Sequence, residues 1–382
     1  MNEELVRDVN ASPYMACVAV TGGGVSFIDE FLSFGGGSKT ILSFEVPYKE
    51  EFLQELIGCK PDKYVSPDTA RKMAMASYRK ACKVQDPLYA VGVGCTASLI
   101  TPNEREGRKH RVSIAIQTAS ACRTLNAVFA PFKFKQIPWT REDQEWSVRE
   151  WIMLLLAERT VGAKINFNSA SDIADIQTSL VDLGDNQEWI DFFTGKTDLY
   201  VNGPKAKELL AQDHTVIFSG SFNPLHAGHM EMHSRAKEIT GITPVFEISV
   251  QNVDKPELNL WDIYQRHDAL VDFPLVLTRA PFFTQKSQAI KEAFPASKTI
   301  NGFDKRIDYV VGLDTWERFT TYPDRHELRH HRAFHENVGF VIFNRGGKQI
   351  DEFNHNFKHV TFIHGFDNPL SSTQLRLATN EK

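Results

Sequence analysis

The sequence has few cysteines, no excess of basic residues and no long apolar run, and each shortage excludes a class of protein. Its five cysteines are scattered through the first third of the chain and never stand in CxxC spacing, which favours reduced thiols over a disulfide framework. The formal net charge of -5 gives no support for non-specific nucleic-acid binding through a basic surface. No apolar segment reaches the ~18 residues that a membrane-spanning helix requires.

The length of the chain and its first residues set further expectations. A chain of 382 residues, of which 42% are hydrophobic, can bury substantial cores, and its length predicts about two domains. The first residues, MNEELVRDVNASP, are acidic and polar, so they do not resemble a signal peptide. We therefore expect a cytoplasmic protein that has neither nucleic acid nor a membrane as a partner, while assembly into a homo-oligomer stays open.

Residues 1–160 have the pattern of an α/β domain. The apolar run YMACVAV predicts a strand, and the TGGG segment at Thr21–Gly24 predicts a glycine turn after it. Apolar residues at helical spacing predict a helix over 66–83, with Ser66 or Asp68 as its N-cap. The segment REDQEWSVREWIMLLLAERT predicts a long amphipathic helix that closes the domain.

The rest of the chain is predicted to be a connecting segment, residues 161–212, and a second domain, residues 213–382. The connecting segment has no clean period and includes two short predicted helices, QEWIDFF and PKAKELLAQ. In the second domain, strands that are apolar throughout alternate with helices, which predicts a parallel sheet covered on both faces. The predicted fold class is α/β with two α/β domains, the C-terminal one a Rossmann-like doubly wound parallel sheet whose ligand site lies at the carboxyl ends of the strands.

The stretch SGSFNPLHAGH contains the most informative pattern in the sequence. The strand TVIFSG precedes it, and we expect a helix to begin near Leu225, so that His226 and His229 lie in its first turn, three residues apart. A helix N-terminus favours anions, and imidazoles there can donate hydrogen bonds to phosphate oxygens as charge builds in a transition state. Two alternatives stay open: a structural helix cap, and a zinc site, for which the sequence places no third ligand nearby.

Two motifs together resemble one superfamily. GSFNPLHAGH is similar to the first signature of the HxGH nucleotidyltransferases, and LSSTQLR at 370–376 is similar to the ISSTxxR motif of the nicotinamide- and nicotinate-mononucleotide adenylyltransferases. Class I aminoacyl-tRNA synthetases share the histidine motif but have a KMSKS loop, which this chain lacks. The resemblance covers residues 214–382 and implies a cytidylyltransferase-like domain.

The resemblance implies roles for individual residues. His226 and His229 would bind phosphates and stabilise the α-phosphate during transfer, and Arg345 matches an arginine that ends a late strand. The four residues with an implied catalytic role are His226, His229, Lys255 and Arg376. The nine residues with an implied nucleotide-binding role are Ser219, Gly220, Ser221, Phe222, Gly312, Asp314, Ser371, Ser372 and Thr373.

The implied reaction is ATP-dependent adenylyl transfer to a mononucleotide, with release of pyrophosphate. Nicotinamide or nicotinate mononucleotide would be the second substrate, and Mg²⁺ would bind with ATP, mainly through substrate oxygens and water. Two alternatives stay open. One is a nucleotidyltransferase for another phosphorylated alcohol such as phosphopantetheine, and the other is a non-catalytic nucleotide-binding regulator.

Two further groups of residues allow more than one interpretation. In HELRHHRAFHE, residues 326–336, the pairs His326/His330 and His331/His335 have the i, i+4 spacing of metal ligands, but a solvated helix is the simpler interpretation. Trp316 and Tyr322 could stack on a base, although aromatic residues at such positions belong more often to the core.

The N-terminal domain resembles the carboxyl-terminal domain of the CinA family, which includes nicotinamide-mononucleotide amidohydrolases. TGGG and YVSPDTARKMAMASYRKA carry this resemblance, which covers about residues 12–158. Val18 and Ala19 stand where that family has a glutamate and its nucleophilic serine, and VGVGCTASL departs from its second glycine-rich segment. An alanine methyl group cannot attack an amide, so we expect a non-catalytic domain that binds a ligand or serves assembly, unless another nucleophile acts there.

Overall fold

The computed structural model describes residues 1–103, 107–133, 136–165, 167, 173–252, 256–296, 305–319, 332–345 and 357–366. The chain divides into two compact units. Unit 1 comprises Met1–Thr194 and Leu258–Asp262, and unit 2 comprises Gly195–Glu257 and Ile263–Lys382. Each unit contains its own β-sheet flanked by helices, which confirms two α/β domains. Among the described residues, no helix combines the length and the hydropathy of a membrane span.

Within the described ranges, the main segment of unit 1 has six strands and six α-helices. The strands are β1 (Met15–Thr21), β2 (Ile41–Glu45), β3 (Ala90–Ser98), β4 (Arg111–Gln117), β5 (Ala121–Phe129) and β6 (Ala174–Asp182). The helices are α1 (Glu3–Ala11), α2 (Ser26–Ser33), α3 (Glu50–Ile57), α4 (Pro67–Ala81), α5 (Arg141–Val161) and α6 (Gln187–Thr194), with a short 3₁₀ helix at Gly37–Lys39.

The sheet of unit 1 has the order β2-β1-β3-β4-β5-β6. β1 pairs in parallel with both β2 and β3, whereas β3 through β6 pair antiparallel. Because the chain passes from β1 to β2 on one side and returns to β3 on the other, the carboxyl ends of β1 and β3 form a topological switch point. Buried aliphatic side chains of these strands pack against α5, and this packing forms the core of unit 1.

The two strongest helix predictions in unit 1 are confirmed, and their caps explain where they begin. Ser66 is the N-cap of α4, and its Oγ accepts a hydrogen bond from the N–H of Thr69 at 3.2 Å. Thr140 caps α5 through a reciprocal pair of hydrogen bonds with Asp143. Lys133 and Thr140 donate to the Asp143 carboxylate, and together they lower its pKa to about 2.

Unit 2 has seven strands and six α-helices in the described ranges. The strands are β7 (Leu199–Asn202), β8 (His214–Ser219), β9 (Val245–Ser249), β10 (Leu275–Thr278), β11 (Arg306–Gly312), β12 (Val338–Arg345) and β13 (His359–Phe366). The helices are α7 (Gly203–Leu210), α8 (Ala227–Thr240), α9 (Leu260–Asp268, whose first turn is counted in unit 1), α10 (Phe283–Ala293), α11 (Leu313–Phe319) and α12 (Arg332–Asn337).

The sheet of unit 2 has the order β13-β12-β11-β8-β9-β10-β7. All neighbouring strands are parallel except β7, which pairs antiparallel with β10 at the edge. The predicted doubly wound parallel sheet is therefore confirmed, with one antiparallel edge strand added. Because β9 and β10 lie on one side of β8 while β11 lies on the other, the switch point is at the carboxyl ends of β8 and β11.

The predicted connecting segment, residues 161–212, contains parts of both sheets in the structure. Its two short helices are present as α6 and α7. The strand β6, however, pairs with β5 of unit 1, and β7 pairs with β10 of unit 2. The described part of the segment is therefore divided between the two units near Thr194 rather than forming a separate linker. β6 was not predicted because its outer positions are polar and only two of its residues are buried.

Candidate functional site

The HxGH segment lies at the switch point of unit 2. β8 ends at Ser219, and the chain turns through residues 220–226 before α8 begins at Ala227. Gly312 ends β11, which is the parallel neighbour of β8. The structure therefore brings the histidine turn and the Gly312 segment to the same edge of the sheet, as expected of a ligand site in an open α/β fold.

His226 is the N-cap of α8, which corrects the predicted helix start near Leu225. Its backbone is extended, with φ -146° and ψ 169°. Its carbonyl accepts the first hydrogen bonds of the helix, from the N–H groups of His229 at 2.9 Å and Met230 at 3.3 Å. The turn that contains Asn223 and Pro224 extends through Leu225 to His226. The helix therefore starts two residues later than the pattern suggested.

The two imidazoles lie against each other. Their ring centroids are 3.7 Å apart and the ring planes are inclined by 27°. The backbone N–H of His226 donates to Nδ1 of His229 at 3.3 Å. A neutral imidazole that accepts at Nδ1 has its proton on Nε2. In that tautomer the donor of the His229 ring is Nε2–H.

Phe222 supports the histidine pair from inside the domain. It is 1% exposed and has a positive φ of 43°, which is uncommon for an aromatic residue. Its ring packs edge-on against Phe218, Phe246 and His229 at centroid distances of 5.2, 5.1 and 5.1 Å. A Cβ atom at Gly220 would lie 2.6 Å from this ring, so glycine is needed there. Phe222 thus fixes the turn through packing.

A buried polar cluster lies next to this turn, and sequence reasoning missed it. Glu247, in the middle of the apolar strand β9, is fully buried. Lys286 of α10, also buried, forms an ion pair with Oε2 of Glu247 at 2.9 Å. Three hydroxyl groups donate to the same carboxylate: Ser219 at 2.6 Å, Ser249 at 2.9 Å and Thr278 at 2.5 Å.

This cluster joins the carboxyl ends of three neighbouring strands. Ser219 ends β8, Ser249 ends β9 and Thr278 ends β10. The hydroxyl of Ser219 points to Glu247. The predicted nucleotide-binding role of Ser219 would therefore use its backbone groups. A charged residue inside an otherwise apolar strand, PVFEISV, is the sequence signal that could have identified the cluster.

Burial also shifts the pKa of two titratable groups near the site. Burial raises the pKa of the Tyr309 hydroxyl, the nearby Glu247 charge raises it further, and a hydrogen bond with Ser287 at 3.0 Å opposes the change. Burial lowers the pKa of His233 on α8, although its Nε2 hydrogen bond to the carbonyl of Pro244, at 3.0 Å, partly opposes this. Both groups are therefore held neutral near pH 7.

Gly312 and Asp314 take the positions expected of a strand end and a helix start. Gly312 is the last residue of β11, and Asp314 lies in the first turn of α11 with its side chain exposed. A Cβ atom at Gly312 would lie 2.6 Å from Oδ1 of Asp314. The glycine thus leaves room for this carboxylate beside the switch point.

Several predicted residues lie outside the described ranges, and their roles remain predictions. They are Lys255, Ser371, Ser372, Thr373, Arg376, Tyr322, His326, His330 and His331.

Arg345 is the last residue of β12. Trp316 is buried and packs on Phe340 at 4.9 Å, so it belongs to the core rather than to a stacking surface. His335 contacts Phe357. Within the described ranges, no group of three His, Cys, Asp or Glu side chains is arranged to hold a metal ion.

In unit 1, the two positions of β1 that correspond to the CinA glutamate and serine are apolar. Val18 and Ala19 of β1 are each 1% exposed. The glycine turn after β1 approaches β3 closely: at Gly22, whose φ is +73°, a Cβ atom would lie 1.9 Å from the Ala97 carbonyl oxygen. Arg141 donates to the Gly22 carbonyl at 2.8 Å. This geometry preserves a glycine turn but places no nucleophile at position 19.

Comparison with known proteins agrees with the resemblance of the C-terminal region. Residues 217–378 match the family described as cytidylyltransferase-like. A probable nicotinate-nucleotide adenylyltransferase of Bacteroides thetaiotaomicron is 29% identical over 181 residues, which is 44% of this chain and 82% of the relative. Its counterpart in Bacteroides fragilis is 25% identical over 186 residues, again 44% of this chain and 83% of the relative. Unit 2 therefore contains a cytidylyltransferase-like domain of the nucleotidyltransferase type, as predicted.

Solved structures of CinA type cover the N-terminal half of the chain. A CinA superfamily protein from Klebsiella pneumoniae has 14% sequence identity and a TM-score of 0.33, covering 43% of this chain and 100% of that protein. A competence/damage-inducible protein from Agrobacterium tumefaciens has 18% identity and a TM-score of 0.32, covering 41% of this chain and 95% of that protein.

Proposed function

We propose that unit 2 transfers the adenylyl group of ATP to nicotinate or nicotinamide mononucleotide and releases pyrophosphate. The observation that carries the proposal is the stacked pair His226 and His229 at the start of α8, at the switch point of a doubly wound sheet. The names of the two Bacteroides relatives, both probable nicotinate-nucleotide adenylyltransferases, support the choice of mononucleotide.

The chemistry needs positioning rather than a covalent intermediate. The 5′-phosphate of the mononucleotide attacks the α-phosphorus of ATP, a P–O bond forms, and the bond to the pyrophosphate leaving group breaks. The first N–H groups of α8 and the Nε2–H of His229 would donate to the α-phosphate oxygens as their charge increases. Aligning two anions that repel each other is the main task of such a site.

The residues predicted at the C-terminal motif would bind the rest of ATP. Ser371, Ser372 and Thr373 would begin a helix that receives the triphosphate, and Arg376 would bind its outer phosphates through a planar fork of N–H donors. Lys255 would add a positive charge near the phosphates. Gly312 and Asp314 would lie beside the ribose, a role with which the exposed carboxylate of Asp314 is compatible.

The proposed reaction would use a magnesium ion that arrives with ATP. Mg²⁺ in nucleotide-dependent enzymes usually keeps several waters and binds substrate phosphates, with one or two carboxylates at most. When bound, it would neutralise phosphate charge, and Asp314 is an exposed carboxylate at this edge of the sheet.

A pyrophosphate-release assay tests the proposal. The purified full chain is incubated with Mg²⁺ and either ATP or CTP, together with nicotinate mononucleotide, nicotinamide mononucleotide or phosphopantetheine. We expect release with ATP and a pyridine mononucleotide, and mass spectrometry should identify the dinucleotide product. Release with phosphopantetheine alone would reject the substrate assignment. A chain that binds ATP but releases no pyrophosphate with any partner would be a nucleotide-binding regulator instead.

A further inference from the structure

The buried carboxylate of Glu247 in unit 2 is saturated with hydrogen bonds. Its Oε2 accepts from the hydroxyl of Ser219 at 2.6 Å and from Nζ of Lys286 at 2.9 Å. Its Oε1 accepts from the hydroxyls of Ser249 at 2.9 Å and Thr278 at 2.5 Å. Because a carboxylate has about four lone-pair positions, these donors from β8, β9, β10 and α10 hold it in one orientation.

Strand pairing places these hydroxyl groups on one face of the sheet. Ser219 is the registered partner of Glu247, and Thr278 is the registered partner of Ser249. Glu247 and Ser249 are two residues apart on β9, so their side chains share a face. Three neighbouring strand ends therefore converge on one carboxylate, and α10 brings Lys286 to the same face.

The opposite face of these strand ends is aromatic. Phe218 and Phe246 each come directly before a residue of the polar cluster, so their side chains point to the other face. There the ring of Phe246 stacks on His233 of α8 at 4.7 Å, with the ring planes inclined by 2°. The end of β8 is thus fixed on both faces, by aromatic packing towards α8 and by hydrogen bonds towards α10.

Glu247 also fixes the peptide group that follows β8. The N–H of Gly220 donates to the Glu247 carbonyl at 3.1 Å, which extends the ladder between β8 and β9 beyond the last residue of β8. The turn that begins there ends at His226, the N-cap of α8. One residue therefore holds both the side chain of Ser219 and the backbone of Gly220, at the start of the turn that contains the histidines.

Stability alone does not explain a charged pair at this position. Removing a carboxylate and an ammonium group from water costs free energy that their attraction only roughly balances, and apolar residues of similar size are often equally stabilising. A carboxylate supplies what an apolar residue cannot, namely directional acceptors that orient the hydroxyl of each strand end. The cluster is therefore better suited to fixing geometry than to adding stability.

We propose that Glu247 is a positioning residue for adenylyl transfer and that it acts through Ser219. Its carboxylate is fully buried, so it acts by holding the start of the turn that places His226 and His229. Its effect on rate rests on the proposed function of unit 2, whereas its effect on the turn is measurable without turnover. Displacing a catalytic group by about 1 Å can lower a rate about 100-fold, so a small loss of order in this turn should be visible in kcat.

Two variants each remove one hydroxyl donor from the same carboxylate. Ser219→Ala removes the hydrogen bond to Oε2 at the end of β8. Thr278→Val is the matched control, since it removes the hydrogen bond to Oε1 at the end of β10, which β9 separates from β8. Both should lower the midpoint of denaturant unfolding, but only Ser219→Ala should disturb the histidine turn. Ser219→Thr keeps the donor and should recover most of what Ser219→Ala loses.

Hydrogen exchange of the full chain, followed by mass spectrometry, tests the effect on the turn. In peptides that span residues 219–230, the N–H groups of Gly220, His229 and Met230 are hydrogen-bonded, so their exchange reports on opening of the turn. We expect exchange there to be about fivefold faster in Ser219→Ala and unchanged in Thr278→Val. Equal exchange in the wild type and Ser219→Ala would overturn the proposal, as would equal acceleration in both variants.

Steady-state kinetics in the pyrophosphate assay tests the effect on rate. Ser219→Ala should lower kcat about tenfold or more, while the half-saturating ATP concentration changes less than about twofold, because the histidine donors act on charge that increases in the transition state. Thr278→Val should keep a kcat near that of the wild type. A kcat that is unchanged in Ser219→Ala, or equally lowered in Thr278→Val, would contradict the positioning role. If the wild-type chain releases no pyrophosphate, the proposed function fails instead, and the exchange comparison alone decides whether Glu247 positions the turn.

Discussion

The two units contain the same local element with different chemistry. In each, an apolar parallel strand ends at a switch point and passes through a glycine-containing turn into a helix: β1 into α2 in unit 1, and β8 into α8 in unit 2. In unit 1 the strand end presents Val18 and Ala19, both buried. In unit 2 the turn presents two stacked imidazoles.

The difference shows that backbone geometry and reactivity are separate properties of such an element. The glycines of both turns are required by close packing, at Gly22 against Ala97 and at Gly220 against the ring of Phe222. These contacts are compatible with a catalytic or a non-catalytic site. The expected function of each unit therefore depends on its side chains and not on its fold. Five measurements test this contrast.

The largest effect is expected from the ion pair between Glu247 and Lys286, which lies beside the turn of unit 2. Glu247→Leu leaves Lys286 buried without its carboxylate and removes the acceptor of three hydroxyl groups. Breaking a buried pair in this way should lower the free energy of unfolding by about 3–5 kcal/mol. Denaturant unfolding of the full chain measures it. Adding Lys286→Met to the same chain should recover part of the loss, and equal stability of single and double variants would contradict the assigned role.

The second effect concerns the histidine pair. Under the proposed function, His229→Ala removes a hydrogen-bond donor to the α-phosphate, and it should lower the rate of adenylyl transfer about 100- to 1,000-fold with the fold unchanged. The pyrophosphate assay measures it. His359→Ala, at the amino end of β13 and hence at the opposite edge of the sheet, is the matched control. A near-normal rate in purified His229→Ala would remove this histidine from the mechanism.

A third, smaller effect is expected at Arg376. Lysine cannot reproduce the two parallel hydrogen bonds of a guanidinium group to phosphate. Arg376→Lys should therefore raise the half-saturating ATP concentration about tenfold while that of the mononucleotide changes little, a loss of ~1.4 kcal/mol. Steady-state kinetics with each substrate varied in turn decides it. If the ATP dependence is unchanged, the adenylyltransferase proposal rests on the histidine motif alone.

The fourth effect is the pH dependence of stability that His233 contributes. Burial lowers the pKa of His233 in the folded chain. Below the unfolded pKa of about 6.5, the unfolded chain therefore binds more protons than the folded chain does. The free energy of unfolding should therefore decrease as pH falls below about 6.5, by at most ~1.4 kcal/mol per pH unit from this group, until the folded pKa is reached. Denaturant midpoints at pH 7.5 and 5.5 measure it. In His233→Phe the slope should be smaller, and an equal slope would assign the effect to other groups.

No effect at all is expected from unit 1 in an amidohydrolase assay. Because Ala19 has no nucleophilic atom, the full chain should release no ammonia from nicotinamide mononucleotide. Restoring the hydroxyl with Ala19→Ser tests whether the rest of the strand end is competent, although the buried hydroxyl would lie beside Val18 instead of an acid. Ammonia release that copurifies with the unmodified chain through several steps would show that another nucleophile acts there.

Local patterns predicted the elements of the fold better than its long-range contacts. Capped amphipathic helices such as α4 and α5, and the strand–turn–helix at residues 214–240, follow from periodicity and glycine position. The polar edge strand β6 does not, since its pairing with β5 rather than its own pattern makes it a strand. The exact helix start at Ala227 also depends on how the preceding turn packs, which the sequence does not state.

The candidate site shows the same difference between local patterns and long-range contacts. The histidine motif is contiguous, so the sequence reveals it. The pair Glu247 and Lys286, separated by 39 positions, meets only because α10 packs against β9. The charge inside the apolar strand PVFEISV marks Glu247 as unusual, but the sequence does not indicate which residue it contacts.

The segment Leu258–Asp262 has a consequence for how the protein is made. It is counted in unit 1 although most of unit 2 surrounds it in sequence. Leu260 is fully buried, its N–H donates to Oε1 of Gln117 at 3.4 Å, and the guanidinium of Arg71 lies 4.1 Å from the ring of Trp261. During synthesis, the ribosome must therefore deliver β7, β8 and β9 before the last residues of unit 1 emerge. Unit 1 cannot be completed first, and a chain that stops at Thr194 lacks part of its own interior.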